Sequence, residues 1–321
     1  MPALAIYIIH RLAAALLTLA GAILFLFVII QFVPGDMITI LLGPRATPEL
    51  RADFVQHMGL DRSILEQVWL FFSRAITGDL GTDVISNRKI LDTILEALPN
   101  TLQLASVALM ISLVLGIALG CIAALKPGSV LDTTLGVASV TFITTPAFVV
   151  AIFLLLIFSI QLHWLPVTGA GDPGDPLDRL SHIILPAIAL SIGWIGYLAR
   201  LIRASLLEVL SEQHVRMMRA YGVPEGRIVR RFALRLALVP MIAVMGIGIG
   251  DMISNAVFVE IIFARPGVGT LIYSAILNRN YPVVQAGILF TVITYISANL
   301  LVDLVNAVLD PRIARSLKQA A

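Results

Sequence analysis

Gly248-Ile249-Gly250-Asp251 lies inside an apolar stretch, and a second carboxylate, Asp303, lies in the last apolar stretch of the chain. Two carboxylates on neighbouring helices can share a proton and activate water, so a peptide-hydrolysing dyad is one chemistry this pattern allows. Such a dyad expects its first Asp on a helix before the Gly-x-Gly-Asp, and no apolar stretch before Asp251 contains an acid. An ionised group within a bilayer costs at least about 2.5 kcal/mol, so Asp251 must face protein or water. It either lines a pathway with Ser254 and Asn255 or is a carboxylate capped by its neighbours for structure alone. Asp303, within about two turns of the inner end of its helix, reads as structural.

Other reaction centres are missing from the sequence. Lys89, Lys126 and Lys318 are the only lysines and none follows a glycine, so no GxxxxGK[ST] loop exists to hold ATP. His10, His57, His163, His182 and His214 are each followed by a residue other than Glu, which excludes HExxH. Cys121 has no intrachain partner for a disulfide or a CxxC metal site. The chain is expected to carry no catalytic residue, no metal and no cofactor of its own.

The elements around Asp251 follow from composition. Hydrophobic residues make up 59% of the 321, charged residues only 13%, and the mean hydropathy is +0.96, which defines an all-α integral membrane protein. A span needs about 20 apolar residues. Six stretches qualify, approximately Leu12 to Phe32, Thr101 to Leu125, Thr134 to Ile160, Ile183 to Ala199, Leu236 to Phe263 and Val284 to Val308. The first exceeds the h-region of a signal peptide, and Pro34-Gly35-Asp36 after it is no cleavage site. None reads as interrupted, and with so few charges in the spans this argues against a channel or an ion-driven carrier.

Arg and Lys cluster in alternate loops, at Arg11, Lys126, Arg200, Arg203, Arg216, Arg219, Arg227, Arg230, Arg231, Arg235, Arg312, Arg315 and Lys318. Both termini and the segment 203–240 are therefore expected in the cytoplasm. The domains read as a first span over 1–33, a small extracytoplasmic cap over 34–99 with an amphipathic piece at Ile64 to Ile76, a core over 100–310, and a cytoplasmic tail over 311–321.

Segment 203–240 reads helix, turn, helix. Leu206, Leu210, Met217 and Tyr221 fall on one face of a helix from Ser205 to Tyr221, and Glu212 precedes Arg216 by the four residues of a helical ion pair. Gly222 suits a left-handed helix end, and Pro224 and Glu225 suit the first turn of the next helix. In that helix Arg227, Arg231 and Arg235 recur beside Ile228, Phe232 and Leu236, a basic stripe next to an apolar one that suits the inner leaflet.

Glu212-Gln213-His214-Val215-Arg216-Met217-Met218-Arg219-Ala220-Tyr221-Gly222, followed by the Arg-rich helix and Ala237-Leu238-Val239-Pro240, resembles the EAA loop of ATP-binding-cassette (ABC) importer permeases of the dipeptide, oligopeptide and nickel family. Phe32-Val33-Pro34-Gly35-Asp36, Met58-Gly59-Leu60-Asp61 and Gly78-Asp79-Leu80-Gly81 near the start resemble the same family. So do Val259 to Gly269, Arg279 to Gln285, Asn299 to Asp303 and Leu309-Asp310-Pro311-Arg312 near the end. The chain departs from the pattern with Met217 and Met218 in place of small alanines, and with Ser254-Asn255 in place of paired glycines.

The resemblance implies a type I ABC importer permease fold in the bacterial inner membrane, forming half of a pathway for di- or oligopeptides. Nickel chelates, opines, glutathione or sugars are the alternative solutes, and a GxGD-type intramembrane aspartyl protease is the remote alternative function. It further implies a homologous second permease, two ATP-binding cassette subunits that hold ATP and Mg, and an extracytoplasmic solute-binding protein. Membrane lipid is expected as a partner and nucleic acid is not. Glu212, Arg216, Met217, Met218, Arg219, Ala220, Tyr221 and Gly222 would couple to the ATPase, with Met217, Met218 and Tyr221 as adaptable apolar knobs. Asp251, Ser254 and Asn255 would line the pathway. Glu260, Arg265, Pro266 and Gly267 would form an outer gate or binding-protein contact, or else a simple turn.

Overall fold

The computed structural model describes residues 2–32, 47, 49, 62–83 and 85–309, with side chains from 11 onward, omitting 31, up to 303. Pro34-Gly35-Asp36, Met58 to Asp61, the end of the last helix block and the tail 311–321 lie outside the described residues. Among those described, the regular secondary structure is helical apart from one isolated bridge between Thr82 and Lys89. The helices are α1 Pro2–Phe32, α2 Ile64–Ile76, α3 Ile90–Leu125, α4 Val130–Thr144, α5 Ala147–Leu154, α6 Pro176–Ser211, α7 Gln213–Ala220, α8 Glu225–Arg227, α9 Leu234–Ala237, α10 Val239–Ile262, α11 Val268–Leu277 and α12 Tyr281–Leu309. Wider π-helical turns continue α5 over Leu155–Gln161 and join α8 to α9 over Ile228–Ala233.

Among the described residues, five helices are long and apolar enough to span a membrane, and α4 with α5 and its continuation makes a sixth that is bent by 103°. The third expected span is thus interrupted, contrary to the sequence reading. Pro146 offers no N–H and holds Thr145 extended (φ −88°, ψ 118°), so α4 stops there and α5 restarts at Ala147. Lack of an interrupted span is therefore no ground for setting aside an ion-driven carrier. The helix also exceeds its expected bounds in the fourth span, where Asp175 caps α6 by accepting from the N–H groups of Leu177 and Asp178. The short apolar α11 lies outside all six expected spans.

The chain divides into two compact units. In the unit of 1–101 and 266–297, Ser63 and Glu66 close a capping box that starts α2. Phe71 and Phe72 of α2 pack with Ile23 and Phe27 of α1, while Trp69 stays exposed. A second core joins Ile90 and Ile94 of α3 to Val268, Ile272 and Ala275 of α11 and to Val283, Val284 and Ala286 of α12. Asp83 pins the preceding turn to α12, accepting from the N–H of Ile85, the hydroxyl of Ser86 and the amide of Asn280 near its start.

The unit of 102–265 and 298–311 is organised around α6, the most buried of the candidate spans. Leu104, Ala108, Leu185, Ala189, Met252, Ala256 and Val259 form its main core. Water drives none of the helix association in lipid, so close backbone approach must supply the dispersion energy. Gly116 and Gly120 of α3 provide it. A Cβ on Gly116 would sit 2.7 Å from Leu198 Cβ, and one on Gly120 the same distance from the Ala199 carbonyl. On its other side, a Cβ on Gly196 would come 2.6 Å from the Ser139 carbonyl of α4.

Candidate functional site

The Arg-rich hairpin is built differently from its periodicity. The helix expected from Ser205 to Tyr221 breaks at Glu212, whose extended backbone (φ −68°, ψ 154°) ends α6 and opens α7. Across that break the four-residue spacing no longer aligns side chains. Glu212 pairs instead with His214, Nδ1 to Oε2 at 2.9 Å. Nor do the four apolar residues share a face: Leu206 is fully buried in α6, whereas Met217 is 54% and Tyr221 81% exposed. Val215, given no role of its own by the sequence pattern, is the residue that anchors α7, at zero exposure.

Gly222 takes a positive φ of 76°, as its type suggested. The N–H of Val223 bonds the Met218 carbonyl and the N–H of Gly222 bonds that of Arg219, both at 3.0 Å, closing a complete Schellman motif. Arg219 locks the turn. Its guanidinium reaches both Glu225 oxygens, at 3.0 and 2.6 Å, and its third nitrogen donates to the Leu210 carbonyl at 3.2 Å. These bonds hold the Glu225 carboxyl below, and Arg219 above, its ordinary range. Arg219 is thus engaged within the hairpin. Beside it a surface groove of about 610 Å³ is lined by Ser211, Gln213, Arg216, Met217 and Ala220.

Past the turn the apolar stripe also shifts, because five-residue π turns rotate the helix away from a four-residue repeat. Ile228, Val229, Ala233 and Ala237 are buried, while Phe232 and Leu236 are exposed among Arg227, Arg230, Arg231 and Arg235.

Asp251 stands on α10 at a cavity of about 400 Å³. Its Oδ2 accepts from Trp194 Nε1 at 2.8 Å, and its Oδ1 from Asn255 Nδ2 at 3.0 Å. Ser254 turns back to the Gly250 carbonyl, 3.0 Å away, and takes no part in the cavity wall. The glycines before Asp251 serve packing. A Cβ on Gly248 would press within 3.0–3.2 Å of the Trp194 ring, and one on Gly246 would collide with Asn299 of α12. Gly246 therefore sets α10 and α12 level at Asn299. Consecutive spans run in opposite senses, so Asp251 lies five residues to one side of that level and Asp303 four to the other. At 1.5 Å per residue they are about 13 Å apart along the bundle, too far to share a proton. The carboxylate dyad fails on geometry.

Sequence reasoning missed Trp194 and Tyr197, whose rings meet edge-on with centroids 5.2 Å apart at the cavity. Trp194 precedes Asp251 by 57 residues, and no local pattern connects them.

Glu260 and Arg265, expected at an outer gate, a binding-protein contact or a simple turn, are 0% and 1% exposed. The Arg265 N–H bonds the Glu260 carbonyl at 2.9 Å, around Ala264 at φ 42°. Burial lowers the pKa of Arg265, the Glu260 carboxylate opposes that shift, and Arg179 adds to it. Pro266 is exposed, and the N–H of the buried Gly267 donates to Thr270 Oγ1 at 3.0 Å ahead of α11.

Fold and site define a multi-span helical membrane protein with a basic hairpin at the end of its central helix. The family model "Binding-protein-dependent transport system inner membrane component" matches residues 116–315, and "Binding-prot-dependent transport system membrane comp, N-term" matches residues 4–105. Among similar proteins are the di/tripeptide transport system permease protein DppB of Pseudomonas aeruginosa (33% identical, covering 96% of this chain and 98% of that one) and the dipeptide permease DppB of Alkalihalophilus pseudofirmus (32%, with 96% and 98%). The glutathione transport system permease protein GsiC of Escherichia coli is 34% identical, again over 96% and 98%. In fold, the chain is similar to the MetNI methionine ABC transporter in inward-facing conformations, with a TM-score of 0.56 at 18% identity over 68% of this chain and 96% of that one.

This chain belongs to the permease family of binding-protein-dependent ABC importers. It is an integral protein of the bacterial inner membrane and not itself an enzyme, since ATP hydrolysis in such importers falls to separate subunits.

Proposed function

We propose that this chain forms half of a translocation pathway for di- or oligopeptides, beside a homologous second permease. The similar permeases named for dipeptides and di/tripeptides support the solute class, and the one named for glutathione, itself a tripeptide, favours the same chemistry. Two ATP-binding cassette subunits hold ATP and Mg, and a solute-binding protein delivers the cargo. Both termini and the hairpin face the cytoplasm, with 34–99 on the far side and 311–321 as a tail. Exposed Phe232 and Leu236 among the arginines suit anionic lipid at the inner leaflet.

The observation that carries the reading is α7 itself. A short helix anchored by Val215 and clamped by Arg219 presents exposed Met217 and Tyr221, with Arg216 beside them, at the lip of an open groove. A rigid mount with adaptable apolar knobs is suited to transmit force from a partner. Met218, Ala220 and Gly222 shape the turn, and Glu212 sets the angle between α6 and α7. Asp251 and Asn255 line the pathway, and Ser254 supports that wall. Glu260 and Arg265 act in the outer gate as a buried brace, while Pro266 and Gly267 set the start of α11.

The test is co-purification. Replacing Met217 and Tyr221 together by Ser should lower recovery of the ATPase subunits at least ~10-fold while the permease still inserts. Unchanged recovery would overturn the coupling role.

A further inference from the structure

We propose that the cavity beside Asp251 binds the ammonium group of the passing solute, selecting free amines over blocked ones. The inference rests on reading this wall as part of the pathway. It names the chemistry that the wall would recognise.

Twelve of the described residues line the cavity, and Asp251 is the only acidic or basic side chain among them. Its hydrogen bonds come from an indole N–H and a carboxamide N–H. Both donors are neutral, so they fix the direction of the carboxylate without cancelling its charge. A carboxylate among apolar residues, with no basic side chain among the described residues of the wall, creates a field that a mobile cation can satisfy.

The remaining wall suits an organic cation better than a metal ion. Trp194 and Tyr197 stand beside the carboxylate, and aromatic faces attract ammonium groups through their quadrupole. Ile143, Leu190, Val244 and Ile247 supply apolar surface for the rest of the molecule. A metal ion would need several strong ligands, and among the described residues no group of three His, Cys, Asp or Glu side chains gathers to supply them. The break between α4 and α5 also opens here, at Thr145, Pro146 and Ala147. Its two helix ends carry opposite partial charges that offset one another, leaving Asp251 to set the sign. At about 400 Å³ the cavity lies within the usual range for small-molecule sites, roughly 300–1,000 Å³.

The experiment uses the purified permease–ATPase complex without binding protein, so that the latter's selectivity does not intrude. Equilibrium binding of radiolabelled trialanine is compared with that of N-acetyl-trialanine, and ATP-driven uptake of trialanine is measured separately in proteoliposomes with binding protein. Trialanine should bind at least ~10-fold more tightly than its acetylated form. Asp251→Asn, which keeps the side-chain size, should bring the two affinities together, and Asp251→Glu should restore the preference. Equal affinities in the unmodified complex, or a preference that survives in Asp251→Asn, would overturn the proposal while uptake persists. Absence of ATP-driven uptake would instead overturn the pathway reading, and the proposal with it.

Discussion

Arg203 donates two hydrogen bonds to Asp132 across 71 residues of sequence, Nε to Oδ1 at 2.5 Å and Nη2 to Oδ2 at 2.8 Å, tying α6 to the start of α4. Asp132 also accepts from the Gly128 N–H at 2.9 Å, so one carboxylate holds both the loop before α4 and the helix that leads to the hairpin. A bidentate arginine fixes orientation as well as distance. On the proposed reading this pair transmits motion of α7 from α6 to the interrupted span.

Asp132→Ala or Arg203→Ala should each lower the thermal inactivation midpoint of the complex and loosen the link between ATP hydrolysis and uptake. Combining the two substitutions should cost less than the sum of the single losses, because the second removes a partner already lost. Strictly additive losses in the double variant would show that the pair does not act as a unit.

Close packing makes a steric prediction. Gly120→Leu places side-chain atoms where the Ala199 carbonyl and Ile202 already stand, and overpacking of this kind costs about 1–3 kcal/mol or more. The variant should still insert, yet inactivate at lower temperature in detergent. Gly136→Leu, where a Cβ meets nothing within 4 Å, is the matched control.

The hairpin clamp carries a pH signature. Arg219 holds the folded pKa of Glu225 below its ordinary value of 4.5, so the stabilisation is fully present above that value and is lost as pH falls through the folded pKa. Amide exchange at Gly222 and Val223, corrected for intrinsic rate, should accelerate in that acid window. Glu225→Gln should abolish the step, and a step that persists in it would contradict the assignment.

Ala264 ends α10 in a left-handed conformation that favours glycine. Ala264→Gly should stabilise the permease by roughly 1 kcal/mol, raising the inactivation midpoint by about 2–4 °C. A lower midpoint would contradict the backbone account.

Much of this was legible in the sequence because lipid imposes simple rules. Apolar length marked the spans, and Gly222 declared the turn through the one conformation it alone adopts freely. Long-range pairings were not legible. Arg203 counted only as a loop charge, and Trp194 only as one aromatic in a span, since their partners lie 71 and 57 residues away. The periodicity of the hairpin misled for a local reason, because the break at Glu212 and the π turns after Arg227 each reset the phase that a four-residue repeat assumes. Pro146 was visible, but whether a proline kinks a helix or stops it depends on packing around Thr145.

The most direct measurement is trialanine uptake by proteoliposomes containing the assembled complex and its binding protein, with and without ATP. The account predicts uptake that requires ATP and falls at least ~10-fold when Met217 and Tyr221 are both replaced by Ser. Uptake by this chain alone, indifferent to ATP, would contradict it.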